Sequence, residues 1–185
     1  MRPPDPSSVG VLLEEDGGLG LGMWKGSRRA TVERLLRLLP AVNRSAAMQS
    51  LMQRLLLTSA LVPEGPGGTP SLVHLRLERL AAAGTSDAVM RLARVTPAAL
   101  QDEAMARQVT DAHWLLGEDG EACARGLRWL RVSDNLNWLM ASILCHARAG
   151  ERHQSALALS LWREQVADNS SFLALAEALH GGDGA

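Results

Sequence analysis

The chain has 185 residues, 46% of them hydrophobic and 21% charged, an ordinary globular composition with enough length for one sizeable domain or two small ones. Its 19 basic and 20 acidic residues leave a net charge of −1, without the positive excess that marks a nucleic-acid or acidic-membrane binder. Only 3% of residues are aromatic and tyrosine is absent, while leucine and alanine dominate and β-branched residues are sparse, so helix is favoured over sheet.

Residues 1–26 read as a flexible Gly/Pro-rich leader. Pro3, Pro4 and Pro6 are followed by glycines at 10, 17, 18, 20, 22 and 26, around one short apolar run from Val9 to Leu13. Trp24 is placed to anchor the end of this segment on the adjoining domain. The stretch from Gly18 to Gly22 is not a phosphate loop, because its glycine spacing is wrong and Lys25 is followed by glycine rather than Ser or Thr. The start lacks a secretory pattern, and no window approaches the roughly 18 apolar residues of a membrane span. The chain is therefore expected to be soluble. Its compartment stays open, with a bacterial periplasm or envelope as the alternative if an export signal has been removed.

Residues 27–62 are expected to form an N-terminal helix pair. Ser27 can cap a helix with Val32, Leu35, Leu36 and Leu39 on one face, ending at Pro40. Ser45 can cap a second with Met48, Leu51, Met52, Leu55 and Leu56 at helical spacing. A Pro/Gly loop over 63–70 comes next. Further helical patterns run over 71–83, 86–95, 97–116, 119–131, 134–149, 152–167 and 170–180, most punctuated by Gly or by a capping Ser, Thr or Asp.

An internal repeat organises this second part, 71–185. Gly84, Gly117 and Gly150 are spaced by 33 residues, each ending one helical pattern just before another, and Gly182 follows 32 later. Two copies agree further. Ala112-His113 precedes Gly117-Glu118 as Cys145-His146 precedes Gly150-Glu151, and Trp129 and Trp162 each fall twelve residues after their glycine. Asp134-Asn135 and Asp168-Asn169 then close the copies. A period of 33–34 with two helices per unit implies helix pairs that stack because one pair cannot bury its apolar surface alone. The pattern over 134–149 shows the consequence. Leu136, Leu139, Met140, Ile143 and Leu144 line one face and Trp138, Ala141, Cys145 and Ala149 another, leaving Asn137, Ser142, His146 and Arg148 as polar positions. That helix is expected to be central.

From about residue 71 to 180 the chain resembles tetratricopeptide-type repeats in length, in helix pairing, and in a turn glycine followed by small residues, Ala122 and Ser155/Ala156, early in the second helix. Thr110 and Ile143 stand where the family's helix-contact glycine would be. The resemblance implies an all-α, right-handed superhelical stack of helix-turn-helix repeats, and a partner-binding surface on the first helices. A weaker resemblance, carried by Arg44 to Met48, Arg54 to Thr58 and the stretch from Cys145 to Glu151, is to uncharacterised exported bacterial helical-repeat proteins.

Chemistry-bearing constellations are missing. There is no paired Cys-x-x-Cys, no His-Glu-x-x-His and no Gly-x-Ser-x-Gly. His113 and His146 occupy equivalent repeat positions, which points to packing or turn hydrogen bonding rather than ligation. No metal, cofactor or catalytic residue is assigned. Neighbouring helices in such stacks are in contact, so Cys123 and Cys145 could face each other and form a disulfide in an oxidising compartment. Charge is uneven: residues 27–95 carry +6 and residues 96–185 carry −5, which allows self-association through the basic and acidic halves.

The expected function is a non-catalytic scaffold or adaptor for a protein or peptide, with Arg107, Asp111, Asn137 and Arg148 as contact candidates. Gly84, Gly117, Gly150, Trp129 and Trp162 are assigned structural roles. One alternative is an accessory helical domain of a larger enzyme, for instance a cell-wall-acting one. Another is a nucleic-acid binder using Arg28, Arg29, Arg34, Arg37, Arg44 and Arg54 of the basic half, although no nucleic-acid motif accompanies them.

Overall fold

A computed structural model describes residues 5–42, 44–166 and 171–181. The described residues form helices and turns; single bridges join Leu12 to Thr58 and Arg28 to Glu64, but none extends into a strand. The chain divides into two compact units, Met1–Leu116 and Gly117–Ala185. The division falls inside the segment expected as one repeat array, at one of its glycine turns.

The first unit contains α1 (Arg29–Arg37), α2 (Ala46–Leu57), α3 (Leu72–Ala82), α4 (Ser86–Val95) and α5 (Glu103–Leu115). Its centre is α3, which packs against α1, α2, α4 and α5. The composition of α3 explains why. Leu72, Val73, Leu75, Leu77 and Leu80 are buried over more than half of its circumference, and a helix with so wide an apolar face is stable only when several neighbours cover it. Leu36, Leu56, Val89, Leu92 and Val109 complete this core from the surrounding helices.

Several boundaries differ from the sequence reading. Arg28, not Ser27, stands at the N-cap of α1, because the Ser27 carbonyl accepts from the Glu64 amide and the chain turns into helix one residue later. Leu35 is 54% exposed rather than part of the buried face. Met48 and Leu51 on α2 are exposed as well, since α1 and α2 each pack on α3 and leave those sides uncovered. The long pattern over 97–116 splits into a 3₁₀ turn, Pro97–Gln101, and α5. Asp102 causes the break by capping α5, its carboxylate accepting from the Met105 amide at 3.1 Å.

Within the leader expected to be flexible, residues 5–26 are instead hydrogen-bonded to the rest of the first unit. The Val11 and Leu12 amides donate to the Leu57 carbonyl, the Ser59 amide to Leu12, the Ala60 amide to Ser8, and the Leu61 amide to Leu21. Arg76 on α3, 2% exposed, explains why the segment stays. Its guanidinium donates to the carbonyls of Leu56 at 2.7 Å, Val9 at 2.6 Å, Thr58 at 3.1 Å and Ser7 at 3.3 Å. Leader and α2 terminus thus share one buried cation, and burial lowers the Arg76 pKa to about 10. A second tie is ionic: Arg29 reaches Asp5 at 2.9 Å and Glu33 at 3.0 Å, and Glu33 also accepts from the Gly68 amide. Burial opposes ionisation of Asp5, but the hydrogen bonds from Ser7 and Arg29 outweigh it and hold the carboxyl below its usual range.

The second unit contains α6 (Asp119–Leu130), α7 (Leu136–Arg148), α8 (Arg152–Gln165) and α9 (Ser171–Gly181). Here α7 packs against the other three. Leu139, Ile143, Leu159, Trp162 and Ala176 form the core. Close approach of α6 and α7 depends on Gly126, where a Cβ would meet the Ala141 Cβ at 3.0 Å. Of the expected polar positions on α7, Ser142 is buried, its hydroxyl donating to the Leu139 carbonyl at 2.8 Å, whereas Ala149, expected on an apolar face, is exposed. Asp168, Asn169 and Gly182, used in the repeat alignment, lie outside the described residues.

The repeat period reappears in backbone geometry. Gly84, Gly117 and Gly150 have φ of 70°, 74° and 73°. The next residue is in each case the N-cap of a helix, with φ/ψ of −99°/68° at Thr85, −87°/54° at Glu118 and −82°/63° at Glu151. After α3, Thr85 donates to the Leu80 carbonyl and Gly84 to Ala81; after α7, Glu151 donates to His146 and Gly150 to Ala147. This is the Schellman ending, which places its first residue beyond the cap in the left-handed region and so selects glycine. Burial repeats too. Val89, Ala122 and Ser155, each five residues after its glycine, are fully buried, and Leu77, Thr110 and Ile143, each seven before, are buried.

Candidate partner-binding surface

The expected contact residues fall on both units. Arg107 and Asp111 lie one turn apart on α5, and both reach solvent. Atoms crowding the Asp111 carboxyl remove part of its hydration and raise its pKa, a shift that the neighbouring Arg107 charge partly offsets. Asn137 and Arg148 occupy the two ends of α7. Their separation corresponds to about 16 Å along the axis and about 20° around it, so they share a face without touching. Asn137 is half-buried and committed to the helix start: its side-chain amide donates to Asn135 Oδ1 at 2.7 Å, and that oxygen also accepts from the Asn137 backbone amide. Arg148 is exposed and ion-paired with Asp119 at the start of α6.

The residues assigned to structure have local roles. Trp129 stacks on Trp138 with ring centroids 5.8 Å apart, and Trp162 meets Phe172 at 5.3 Å in a tilted pair. The indole N–H groups of Trp129 and Trp162 are buried without an acceptor among the described residues. Cys123 on α6 and Cys145 on α7 are bridged, with their Cα atoms 5.5 Å apart. His146 Nδ1 lies 2.6 Å from Glu151 Oε2, closing the turn around Gly150 with a side-chain contact. His113 is buried on α5. Among the described residues, no three His, Cys, Asp or Glu side chains converge as a metal site.

The basic half supplies fewer free cations than its composition suggests. Arg29 is buried in ion pairs and Arg76 in carbonyl contacts, while Arg54 Nε donates to the Gly17 carbonyl at 2.6 Å. Arg37 reaches the Thr69 carbonyl, and Arg79 pairs with Glu78 and reaches the carbonyls of Arg37 and Leu39. Five of the ten arginines in residues 27–95 thus have partners within the first unit, without loss of their charge.

Sequence reasoning passed over one cluster on α6. Glu121, Ala124, Arg125 and Arg128 line a depression of about 160 Å³. Desolvation lowers the Arg125 pKa, Arg128 lowers it further by repulsion, and Glu121 opposes both. The signal was present as i, i+4 and i+7 spacing of charge, a pattern that equally describes a solvated helix face. No described helix is long and apolar enough to cross a membrane. The chain matches no family model, and no curated protein or solved structure is significantly similar to it.

Proposed function

We propose that this chain is a tetratricopeptide-like helical-repeat scaffold, a right-handed superhelical stack that binds a protein or peptide and performs no catalysis. The observation that carries the reading is the same glycine-ended turn recurring at 33-residue intervals, each followed by a helix in which the fifth residue after the glycine is fully buried. Repetition of one supersecondary unit is how repeat proteins build extended binding surfaces, and such surfaces require exposed polar side chains on otherwise packed helices. Arg107 and Asp111 on α5 and Arg148 on α7 meet that requirement. The Cys123–Cys145 bridge supports placement in an oxidising compartment, where such bonds persist.

Affinity capture of the tagged chain from its host, with mild crosslinking and mass spectrometry at two salt concentrations, tests the reading. A stoichiometric protein partner that survives high salt and is lost on Arg107→Glu, with melting unchanged, is the expected result. Recovery of nucleic acid that disappears at high salt would replace it with the basic-half reading.

A further inference from the structure

The link between α1 and α2, with the helix turns on either side of it, stands away from the core of the first unit. Residues 40–42 and 44–51 are all exposed, so the first half of α2, 46–51, has no covered side. Such a segment is ordinarily polar, because a cluster of exposed apolar side chains is unfavourable in water. Here Leu35 is 54% exposed, Leu38 72%, Val42 81%, Met48 48% and Leu51 45%. Leu35 and Leu38 are three residues apart at the end of α1, and Met48 and Leu51 three apart on α2, so each pair lies on one helix face.

Charge along this stretch has a single sign. From Arg34 to Pro63 there is no Asp or Glu, while Arg34, Arg37, Arg44 and Arg54 give +4. Arg34, Arg37 and Arg44 are exposed among the apolar side chains, and the contact of Arg37 with the Thr69 carbonyl leaves its charge in place. Glu78 is paired with Arg79, whose guanidinium also reaches the Arg37 and Leu39 carbonyls at the end of α1.

An occupant has to meet the apolar side chains and the cations together. A second copy would set like charge against like charge. A nucleic-acid backbone would neutralise the arginines and leave Leu38 and Val42 in water. A protein would need a separate pocket for each projecting side chain. A bilayer with anionic headgroups supplies negative charge at its surface and hydrocarbon beneath it, which accepts any apolar side chain that projects far enough.

We infer that the link between α1 and α2 is a peripheral docking surface for an anionic membrane, in which Leu35, Leu38, Val42, Met48 and Leu51 enter the headgroup boundary while Arg34, Arg37 and Arg44 pair with lipid phosphates. It goes beyond the scaffold reading, because it uses none of Arg107, Asp111, Asn137 or Arg148 and sets the chain on a membrane surface without a spanning helix.

The test is flotation of the full chain, disulfide intact, with vesicles of phosphatidylcholine alone and of phosphatidylcholine mixed with phosphatidylglycerol. The chain should float with the anionic vesicles only, and less at high salt. Leu38→Ser combined with Val42→Ser should weaken binding roughly tenfold or more, and Arg34→Gln combined with Arg44→Gln by roughly tenfold. All four side chains are exposed, so melting should be unchanged. Leu157→Ser, at a leucine 58% exposed on α8, should leave binding as it is. Absence of flotation with anionic vesicles overturns the proposal, as does equal flotation with both kinds. Binding that survives Leu38→Ser with Val42→Ser, or that falls as far in Leu157→Ser, also overturns it. A dimer that forms without vesicles and is lost in the Leu38→Ser, Val42→Ser variant would overturn it in favour of a second copy, and a photoreactive residue at 38 that traps protein but no lipid in the host would do so in favour of a protein. Loss of a captured partner in Arg107→Glu with no flotation here would refute this surface and leave the scaffold reading standing.

Discussion

Gly150→Ala is the substitution whose outcome depends most directly on the recurring turn. Gly150 has φ of 73°, and a Cβ built there meets nothing within 4 Å. Any cost must therefore come from the backbone conformation and not from a clash. Holding an L-residue in the left-handed region costs about 1–2 kcal/mol. Restricting the unfolded chain offsets about 0.4–1 kcal/mol of that, so the net loss is about 0–1.6 kcal/mol. Gly120, on α6 in the same unit, is the internal control: its Cβ position is equally open, but its φ is not positive and it lies in a helix. Gly120→Ala should stabilise by about 0.5 kcal/mol. Urea denaturation monitored by circular dichroism, run on both variants, reads the contrast. In a thermal melt, a unit of this size shifts by about 4–8 °C per kcal/mol. Shifts of the same sign at the two positions would refute the assignment of Gly150 as a left-handed helix ending, and with it the turn that defines the repeat.

Arg76→Met strips four carbonyls of their donor and should cost at least about 3 kcal/mol; hydrogen exchange at the Ser59 and Ala60 amides should accelerate at the same time, and protection equal to wild type would show that the leader is held by something else. Reducing the Cys123–Cys145 bridge frees a loop with a sequence separation of 22, which in the chain-entropy account lowers stability by about 3 kcal/mol; coincident urea curves with and without reductant would contradict that. Asp111 has its pKa raised in the folded state, so the fold binds its proton more tightly than the unfolded chain and gains stability as pH falls through the raised value. Asp111→Asn should accordingly raise the melting temperature at pH 7, by an amount that shrinks as pH is lowered towards 3.8 and below; a lowered melting temperature at pH 7 would mean that the pairing with Arg107 outweighs the desolvation.

Local chemistry was legible where one residue's needs decide the backbone. The glycine turns could be read because a Schellman ending selects glycine, and Ser45 could be read as a cap because its side chain meets the Met48 amide three residues on. All-helical architecture came from leucine and alanine periodicity, and the central place of α7 in its unit from apolar residues on two faces. What the sequence hid depends on partners far apart in it. Arg76 binds carbonyls at Ser7 and Val9, 69 and 67 residues away, and nothing near Arg76 marks it as buried. The leader looked flexible because its Gly/Pro content prevents regular structure, yet irregular backbone can still be held by long-range hydrogen bonds. Leu35, Met48 and Leu51 matched a helical stripe, but α3 covers only part of each stripe.

Photocrosslinking from defined positions tests the scaffold claim most directly. A photoreactive residue placed at 107 or 148, on the first helices α5 and α7, should trap the same partner in the host, while the same residue at 91 on α4 or 160 on α8 should not. Equal trapping from all four positions, or none from 107 and 148 in a folded chain, would contradict the claim that the first helices carry the binding surface.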